Sequence, residues 1–235
     1  MKTDNTHAKQ FAALVKEWKR KFKSTPQPQH DPITQLIMGF LEWNATRKLA
    51  EQGYEKLMSV MVDTNDLRVS HSHELAAILG PDYPQVEQRT TRLREALQDI
   101  YLREHAVSLD SLADRPKKEV RAYLESLGGI PQYVAAQVLL LCFGGHAIPV
   151  DDKMAALLVE EGAVPAGGSV HDIAAFLERQ VKAGEAVALH HLMRAWADSK
   201  RRKDLTAQPA RTRKSTTTTT AKAGTTTKKK ITKKK

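Results

Sequence analysis

The chain has 235 residues, 41% of them hydrophobic and 27% charged, so it can bury a core as one domain or two small lobes. No apolar run approaches the length of a membrane span, and a single cysteine excludes a disulfide framework and a cysteine-bound zinc or iron–sulfur cluster. Residues 200–235 hold 14 Lys/Arg and one acidic residue, whereas residues 1–199 hold 23 Lys/Arg and 26 Asp/Glu. The net charge of +10 therefore comes from the C-terminal tail.

Residues 1–30 are expected to form an amphipathic, basic N-terminal helix and a linker. Between residues 6 and 23, apolar residues recur at helical spacing, and lysine and arginine occupy the opposite face. The apolar residues are Phe11, Leu14, Val15, Trp18 and Phe22. This stripe could pack against the core or bind a partner, and core packing is favoured. The segment Thr25–His30 contains two prolines and is typical of a linker. The first residues lack the apolar segment of a secretion signal, which predicts an intracellular protein.

Residues 31–199 are predicted to form a helical body. Asp31 followed by Pro32 is a favourable helix start, with the acid as N-cap and the proline in the first turn, and this helix extends to Leu41. The segment Trp43–Thr46 then interrupts the helical pattern. Apolar periodicity predicts further helices at 47–62, 75–79, 88–103, 111–127, 154–161, 170–181 and 184–198. Because no strand pattern or repeat is found, the predicted fold class is all-α.

The most informative stretch runs from Leu127 to Lys153. Gly128 and Gly129 allow positive φ and a close approach to a partner, and an almost wholly apolar helix follows from 132 to 143. That helix is about 18 Å long, while the loop 144–150 spans up to about 23 Å when extended. The loop can therefore return Asp151 to the start of the same helix, beside amides that favour an anion such as phosphate. A second interpretation stays open, in which Asp151 is only the N-cap of the next helix.

Two segments resemble a known family: Leu127-Gly-Gly-Ile-Pro-Gln-Tyr-Val-Ala135 and Phe143-Gly-Gly-His-Ala-Ile-Pro-Val-Asp151. They are similar to the helix-hairpin-helix and catalytic-aspartate signature of endonuclease III-like DNA glycosylases, the HhH-GPD superfamily. Residues 31–46 resemble the family's first core helix and wedge segment, and His190-His191-Leu192 resembles the segment before its cluster-binding cysteines. The resemblance covers about residues 30–200 and implies a two-lobed, all-α fold.

The resemblance implies a base excision repair enzyme that flips a damaged or mispaired base out of double-stranded DNA and hydrolyses its N-glycosidic bond. Asp151 would be the catalytic carboxylate that stabilises positive charge on the sugar. The alternative is a non-catalytic DNA-binding paralogue anchored by the hairpin and the basic tail. The residues expected to contact DNA are Asn44, Gly128, Gly129, Pro131, Gln132, Tyr133, Lys153, Lys228, Lys229 and Lys230.

Several residues depart from the family pattern. Tyr133 stands where bifunctional members carry a lysine, and tyrosine cannot form the Schiff base of the lyase reaction, so a monofunctional enzyme is expected. Lys153 could substitute only if its ammonium group reached the pocket. Pro131 removes an amide that a glycine would offer to phosphate. Asn44 stands where glutamine usually enters the gap left by the flipped base, and it could instead be a capping residue between helices.

No metal ion or iron–sulfur cofactor is expected. Trp196-Ala-Asp-Ser199 replaces the cysteine cluster that many relatives carry after the His-His segment. The three histidines His146, His190 and His191 lack the spacing of a metal site. The resemblance does leave room for a monovalent cation held by hairpin carbonyl groups.

The tail from residue 200 is rich in threonine and lysine and is predicted to be disordered. Lysine-rich tails bind nucleic acid through counterion release, without reading its sequence. This role is favoured over that of a solubility tail or a targeting signal. The expected partner is damaged or mismatched DNA, with no membrane, and the protein is expected to be a monomer in the cytoplasm or nucleoid, or in the nucleus of a eukaryote.

Overall fold

The computed structural model describes residues 2–22 and 29–200. The predictions for residues 23–28 of the linker and for the tail, including Lys228, Lys229 and Lys230, lie outside the described residues. Within the described part, the chain forms eleven α-helices and two 3₁₀ helices and no strand, which confirms the predicted all-α class.

The helices follow one another with short connections. They are α1 (Lys2–Lys21), α2 (Pro32–Glu42), α3 (Arg47–Val60), α4 (Thr64–Val69), α5 (Ser72–Leu79), α6 (Val86–Glu104), α7 (Lys117–Glu125), α8 (Gln132–Phe143), α9 (Asp152–Glu160), α10 (Val170–Gln180) and α11 (Ala186–Ser199). The 3₁₀ helices are Asp110–Leu112 and Ala183–Glu185. None of the helices in the described ranges is both long and apolar enough to cross a membrane.

Local sequence accounts for the best-predicted helices. Asp31 caps α2, because its carboxylate accepts hydrogen bonds from the amides of Ile33 and Thr34 at 3.1 and 3.0 Å. Helix α8 has the predicted bounds and ends at Gly144, whose φ of +62° places it in the left-handed region that glycine adopts readily. Terminal residues and apolar content together therefore fix two of the helices that carry the candidate site.

Two helical predictions were wrong. Helix α4 was missed because it has only six residues, of which Leu67 alone is buried, so it shows no apolar period. The predicted helix 111–127 begins only at Lys117, with Pro116 as its N-cap. A proline ring disfavours helical geometry in the preceding residue, so the chain forms a 3₁₀ turn before it and a helix after it.

The helices form two groups, as the two-lobed prediction requires. In the first group α2 packs on α3, α6 and α8, α7 packs on α8, and α5 packs on α3 and α6. In the second group α11 packs on α1 and α9, and α9 packs on α10. The apolar stripe of α1 is part of this core, since Trp18 is buried and its ring lies 4.8 Å from that of Trp196 on α11. Core packing, rather than partner binding, accounts for the stripe.

A glycine allows α2 and α8 to approach closely. A Cβ atom added at Gly39 would lie 2.7 Å from Gln137 Oε1 and 3.1 Å from Val134 Cγ1. Both distances are shorter than ordinary van der Waals contacts, so a larger residue would push the helices apart. Their close packing brings the C-terminal end of α2, and with it Glu42, against the first turns of α8.

Candidate active site

Asp151 is both a helix cap and the centre of a buried polar site. Its Oδ1 atom accepts a hydrogen bond of 2.7 Å from the Met154 amide and so caps α9. Its Oδ2 atom accepts a bond of 3.1 Å from the Asn44 amide and lies 3.4 Å from Arg194 Nη1. The Asp151 side chain has 0% exposed surface and the Arg194 side chain 3%. Asp151 is therefore the N-cap of α9, and its second oxygen is left for contacts outside that helix.

Arg194 connects Asp151 to the start of α8. The same Nη1 atom lies 3.2 Å from the hydroxyl oxygen of Tyr133, in the first turn of that helix. Loop 144–150 therefore does return Asp151 to the beginning of α8, the helix that precedes the loop. Arg194 Nη2 also donates to the carbonyl of Ala45, in the turn between α2 and α3. One buried guanidinium group thus joins four segments that are far apart in the sequence.

The site extends from Tyr133 into a larger buried polar cluster, defined here as Glu42, Tyr133, Gln137, Asp151, His190 and Arg194. Glu42 Oε2 accepts hydrogen bonds from the Tyr133 hydroxyl at 3.1 Å and from Gln137 Nε2 at 2.6 Å. Burial raises the pKa of Tyr133 well above its usual value, so the phenol is neutral and can donate to Glu42 while it accepts from Arg194.

A neighbouring residue balances the charges of the buried polar cluster. The cluster contains two carboxylates, on Glu42 and Asp151, and one guanidinium group, on Arg194. A second guanidinium group, on the fully buried Arg89, interacts electrostatically with Asp151. At the edge, Arg47 Nη1 lies 3.8 Å from Glu42 Oε1, but Arg47 is partly exposed and also pairs with Glu51. Because water is excluded here, the Asp151 carboxylate would nevertheless interact strongly with a positive charge that forms beside it.

His190 is held in its neutral form. Burial lowers its pKa well below the usual value, and the neighbouring His191 and Arg194 act in the same direction. Gln137 Nε2 lies 3.4 Å from His190 Nε2. Since the Glu42 carboxylate orients the Gln137 amide with its nitrogen toward the cluster, His190 Nε2 must accept. The proton is therefore assigned to Nδ1, from the hydrogen-bond network.

This burial predicts a loss of stability in acid. Burial holds the pKa of His190 in the folded protein well below its ordinary value, whereas the unfolded chain is protonated below that ordinary pKa of about 6.5. Folding therefore becomes less favourable as the pH falls from there. The free energy of unfolding should drop by at most about 1.4 kcal/mol per pH unit from this residue. Urea unfolding at pH 7.5, 6.0 and 5.0 measures the slope. His190→Gln should reduce it and the exposed His73→Gln should not; equal slopes in all three proteins would contradict the assignment.

Asn44 lies on the α9 side of the site. Its Oδ1 accepts from the Lys153 amide at 3.3 Å, and its Nδ2 donates to Asp152 Oδ2 at 2.9 Å and to Gln85 Oε1 at 3.4 Å. These are the contacts of a capping residue, although the helix it caps is α9 rather than α2 or α3. Its predicted wedge role stays a prediction.

Backbone groups of the hairpin turn already form hydrogen bonds within the protein. The Gly128 amide donates to Asp99 Oδ2 at 2.8 Å, and the Gly129 carbonyl accepts from Arg92 Nε at 2.6 Å. A side chain does not fit at Gly129, where φ is +72° and an added Cβ would lie 2.8 Å from the Arg92 carbonyl. Pro131 is buried and Gln132 is half-buried. Any phosphate at this turn must therefore use amides other than that of Gly128.

An open cavity of about 340 Å³ adjoins the site. Its lining includes Asn44, Pro84 and three lysines, Lys48, Lys153 and Lys200. Lys153 is buried, and its backbone bond to Asn44 places it at the junction of the cavity and the Asp151 site. Among the described residues, no three His, Cys, Asp or Glu side chains are grouped so that they could hold a metal ion.

The sequence prediction missed three members of the cluster. Glu42, Gln137 and Arg194 each lie in an otherwise apolar helical run: IMGFLEW, VAAQVLL and HLMRAWA. A charged or amide side chain on the buried face of a helix must find a polar partner, so the three interruptions were an available signal. The sequence did not show that their partners are one another.

Comparisons with known proteins identify the fold. No family model matches the sequence, and no curated protein does either. Among solved structures, a trapped covalent endonuclease III–DNA intermediate matches at 18% identity with a TM-score of 0.61, covering 80% of this chain and 85% of that one. A non-covalent endonuclease III–DNA complex matches at 18% identity, TM-score 0.60, with the same coverage. A thermostable thymine-DNA glycosylase matches at 17% identity, TM-score 0.56, covering 83% and 86%. The chain has the endonuclease III-like fold.

Proposed function

We propose that the protein is a DNA glycosylase that hydrolyses the N-glycosidic bond of a damaged or mispaired base, with Asp151 as the catalytic carboxylate. The observation that carries the proposal is the position of Asp151. The guanidinium group of Arg194 contacts both the Asp151 carboxylate and the hydroxyl of Tyr133, in the first turn of the hairpin's second helix. The carboxylate also accepts a hydrogen bond from the backbone amide of Asn44. The neighbours of like fold include endonuclease III bound to DNA and a thymine-DNA glycosylase.

The charge of the Asp151 carboxylate suits this reaction. When the bond between C1′ and the base nitrogen breaks, its electron pair leaves with the base and the sugar becomes positively charged. A water molecule then adds to C1′, and the proton it loses balances the charge taken by the base. The Asp151 carboxylate stabilises the cationic sugar and orients the water. The negative charge of Asp151 in this water-excluded site favours such a cation, provided that the site opens and Arg194 yields part of its contact with Oδ2.

The proposed enzyme is monofunctional and uses no iron–sulfur cluster. Tyr133 offers a neutral hydroxyl where an amine would be needed for a Schiff base. Cys142 is the only cysteine, and it can supply only one of the thiolates that a cluster needs. Trp196, where the resemblance expects the cluster segment, instead packs against Trp18 with the two rings tilted by 36°. The product would be an intact abasic site.

A panel of duplexes, each with one damaged or mismatched base, tests the proposal. After incubation with the full chain, alkali should cut at least one duplex at the lesion, because it cleaves abasic sites. Without alkali the same duplex should stay intact. If the duplex is cut with and without alkali, the protein has lyase activity and is not monofunctional. If no duplex of the panel is cut under either condition, the enzyme proposal is contradicted.

One observation favours a second candidate, a DNA-binding paralogue without catalysis. The Asp151 side chain is closed to solvent and paired with Arg194, so the resting site presents no free carboxylate to a nucleotide. In this case the hairpin and the tail would bind DNA and the Asp151–Arg194 pair would be a structural contact. The duplex panel separates the two candidates directly.

The tail provides a test of DNA affinity that does not depend on catalysis. Residues 205–235 contain 10 Lys/Arg and no acidic residue. If they neutralise phosphates, each contact contributes about 0.9 to the slope of log K against log salt concentration. Deleting these residues should therefore weaken binding to undamaged duplex and flatten its salt dependence by several units. Fluorescence anisotropy at 50 to 300 mM salt measures the slope, and an unchanged slope would refute this role.

A further inference from the structure

Glu42 is a buried carboxylate that the proposed reaction does not use. It is the last residue of α2 and is 1% exposed. A negative charge is unfavourable at the C-terminal end of a helix, and burial adds to that cost. Its Oε2 atom accepts hydrogen bonds from two neutral groups, the Tyr133 hydroxyl and the Gln137 amide. Among the described residues, its one ion pair is with the partly exposed Arg47, 3.8 Å from Oε1.

Arg194 is loosely held in its resting position. Its Nη1 atom lies 3.4 Å from Asp151 Oδ2, whereas well-formed bonds between a guanidinium group and a carboxylate measure about 2.7–2.9 Å. Its Nε atom is buried and has no hydrogen-bond partner in the described part of the chain. Because a buried donor without a partner costs free energy, a second position of this guanidinium group is within reach energetically.

A single hydroxyl group separates Arg194 from Glu42. The Tyr133 hydroxyl oxygen lies 3.2 Å from Arg194 Nη1 and 3.1 Å from Glu42 Oε2. Arg194 interacts electrostatically with Glu42 as well as with Asp151. Its Nη2 atom donates to the Ala45 carbonyl, so the group can turn about this bond without leaving the cluster. The guanidinium group therefore lies between two carboxylates, and a small rotation moves it from one toward the other.

We propose that Glu42 is a positioning residue that takes over Arg194 when a cationic sugar approaches Asp151. This rests on the proposed function in that Asp151 must face the sugar; it does not require that the glycosidic bond be cut. Without Glu42, the guanidinium group and the sugar would face the same carboxylate and repel each other. A buried charge without a charged partner is strongly unfavourable, so Arg194 cannot leave Asp151 unless another anion receives it. Glu42 supplies that anion inside the same buried cluster, and the Asp151 carboxylate becomes available to the sugar.

Two duplexes measure how much of the Asp151 charge is available, without any reaction. One carries a pyrrolidine abasic analogue, whose protonated ring nitrogen takes the place of C1′, and the other carries the neutral tetrahydrofuran analogue. The full chain should bind the cationic duplex about a hundredfold more tightly, at the low end of the range for transition-state analogues. Glu42→Gln keeps an oxygen for the Tyr133 hydroxyl but loses the charge, and should reduce this preference by about tenfold, the scale of coupling between groups in contact. Its dissociation constant for the tetrahydrofuran duplex should stay within about twofold of the parent value, because the neutral ring does not displace Arg194.

Three further variants assign the effect to Arg194. Asp151→Asn should abolish the preference, since it removes the charge that the cation contacts. Glu51→Gln, the same substitution in the exposed partner of Arg47, should leave the preference at the parent value. In chains carrying Arg194→Met, or Arg194→Gln if the methionine variant does not fold, the addition of Glu42→Gln should have no further effect, because no guanidinium group remains to be moved.

The proposal is overturned if Glu42→Gln keeps the parental preference, or if the parent shows no preference. It is also overturned if Glu42→Gln lowers the preference equally in chains without Arg194, because Glu42 would then act on the cation directly. A Glu42-dependent preference together with a failed duplex panel would refute the glycosylase proposal and leave this one standing. Base release together with a preference that does not depend on Glu42 would do the reverse.

Discussion

Replacing Asp151 by asparagine should lower the rate of base release by at least about a hundredfold, the usual effect of removing one charge-stabilising group from a preorganised site. Asparagine keeps an oxygen for the Met154 amide, so α9 stays capped. It cannot carry the negative charge that stabilises the cationic sugar. Single-turnover release of base from whichever duplex the panel identifies measures the effect.

The loss must be distinguished from instability. In Asp151→Asn the new NH₂ group would face the Asn44 amide and Arg194, which are both donors, so part of the folding free energy is lost as well. Asp63→Asn is a matched control, because Asp63 caps α4 through the amides of Asn65 and Asp66 but lies in an exposed turn. The rates of base release of the parent and the two variants are compared at a temperature at which circular dichroism shows all three to be folded. The rate should fall only for Asp151→Asn. Parental activity in that variant would end the enzyme proposal.

The sequence predicts features that are local. Asp31 and Pro32 mark the start of α2, and Gly144 marks the end of α8, because capping and chain reversal depend on a few consecutive residues. The length of loop 144–150 permits the return of Asp151 to α8 but does not require it. Where such local signals are weak, as in the six-residue α4, the prediction failed.

The chemistry around Asp151 was not predictable in the same way. Arg194 lies 43 residues from Asp151, 61 from Tyr133 and 149 from Ala45. The sequence around each of these residues does not indicate its partners. Only the packing of α11 against the site brings them together. Similarly, Arg89 on α6 donates to the carbonyl groups of Trp43 and Pro84, which lie in two separate loops.

Arg194→Met should lower the free energy of unfolding by about 3–5 kcal/mol, because it leaves the buried Asp151 carboxylate without its charged partner. For a chain of this size the Tm should fall by about 10 °C. The loss should far exceed that of Lys21→Met, which breaks the exposed pair of Lys21 and Glu17 at the end of α1, because water and salt screen such surface pairs. Chemical denaturation of both variants gives the comparison.

A double-mutant cycle identifies the source of that loss. If the carboxylate and guanidinium groups interact directly, Arg194→Met with Asp151→Asn should be less destabilised than the sum of the single variants by at least about 1 kcal/mol. In the double variant neither charge is left buried alone. Effects that add to within about 0.5 kcal/mol would mean that Arg194 stabilises the fold through Ala45 and Tyr133 instead. A measurable coupling would mean that the resting site already holds a cation against Asp151, and that a cationic sugar must compete with Arg194 for the same oxygen.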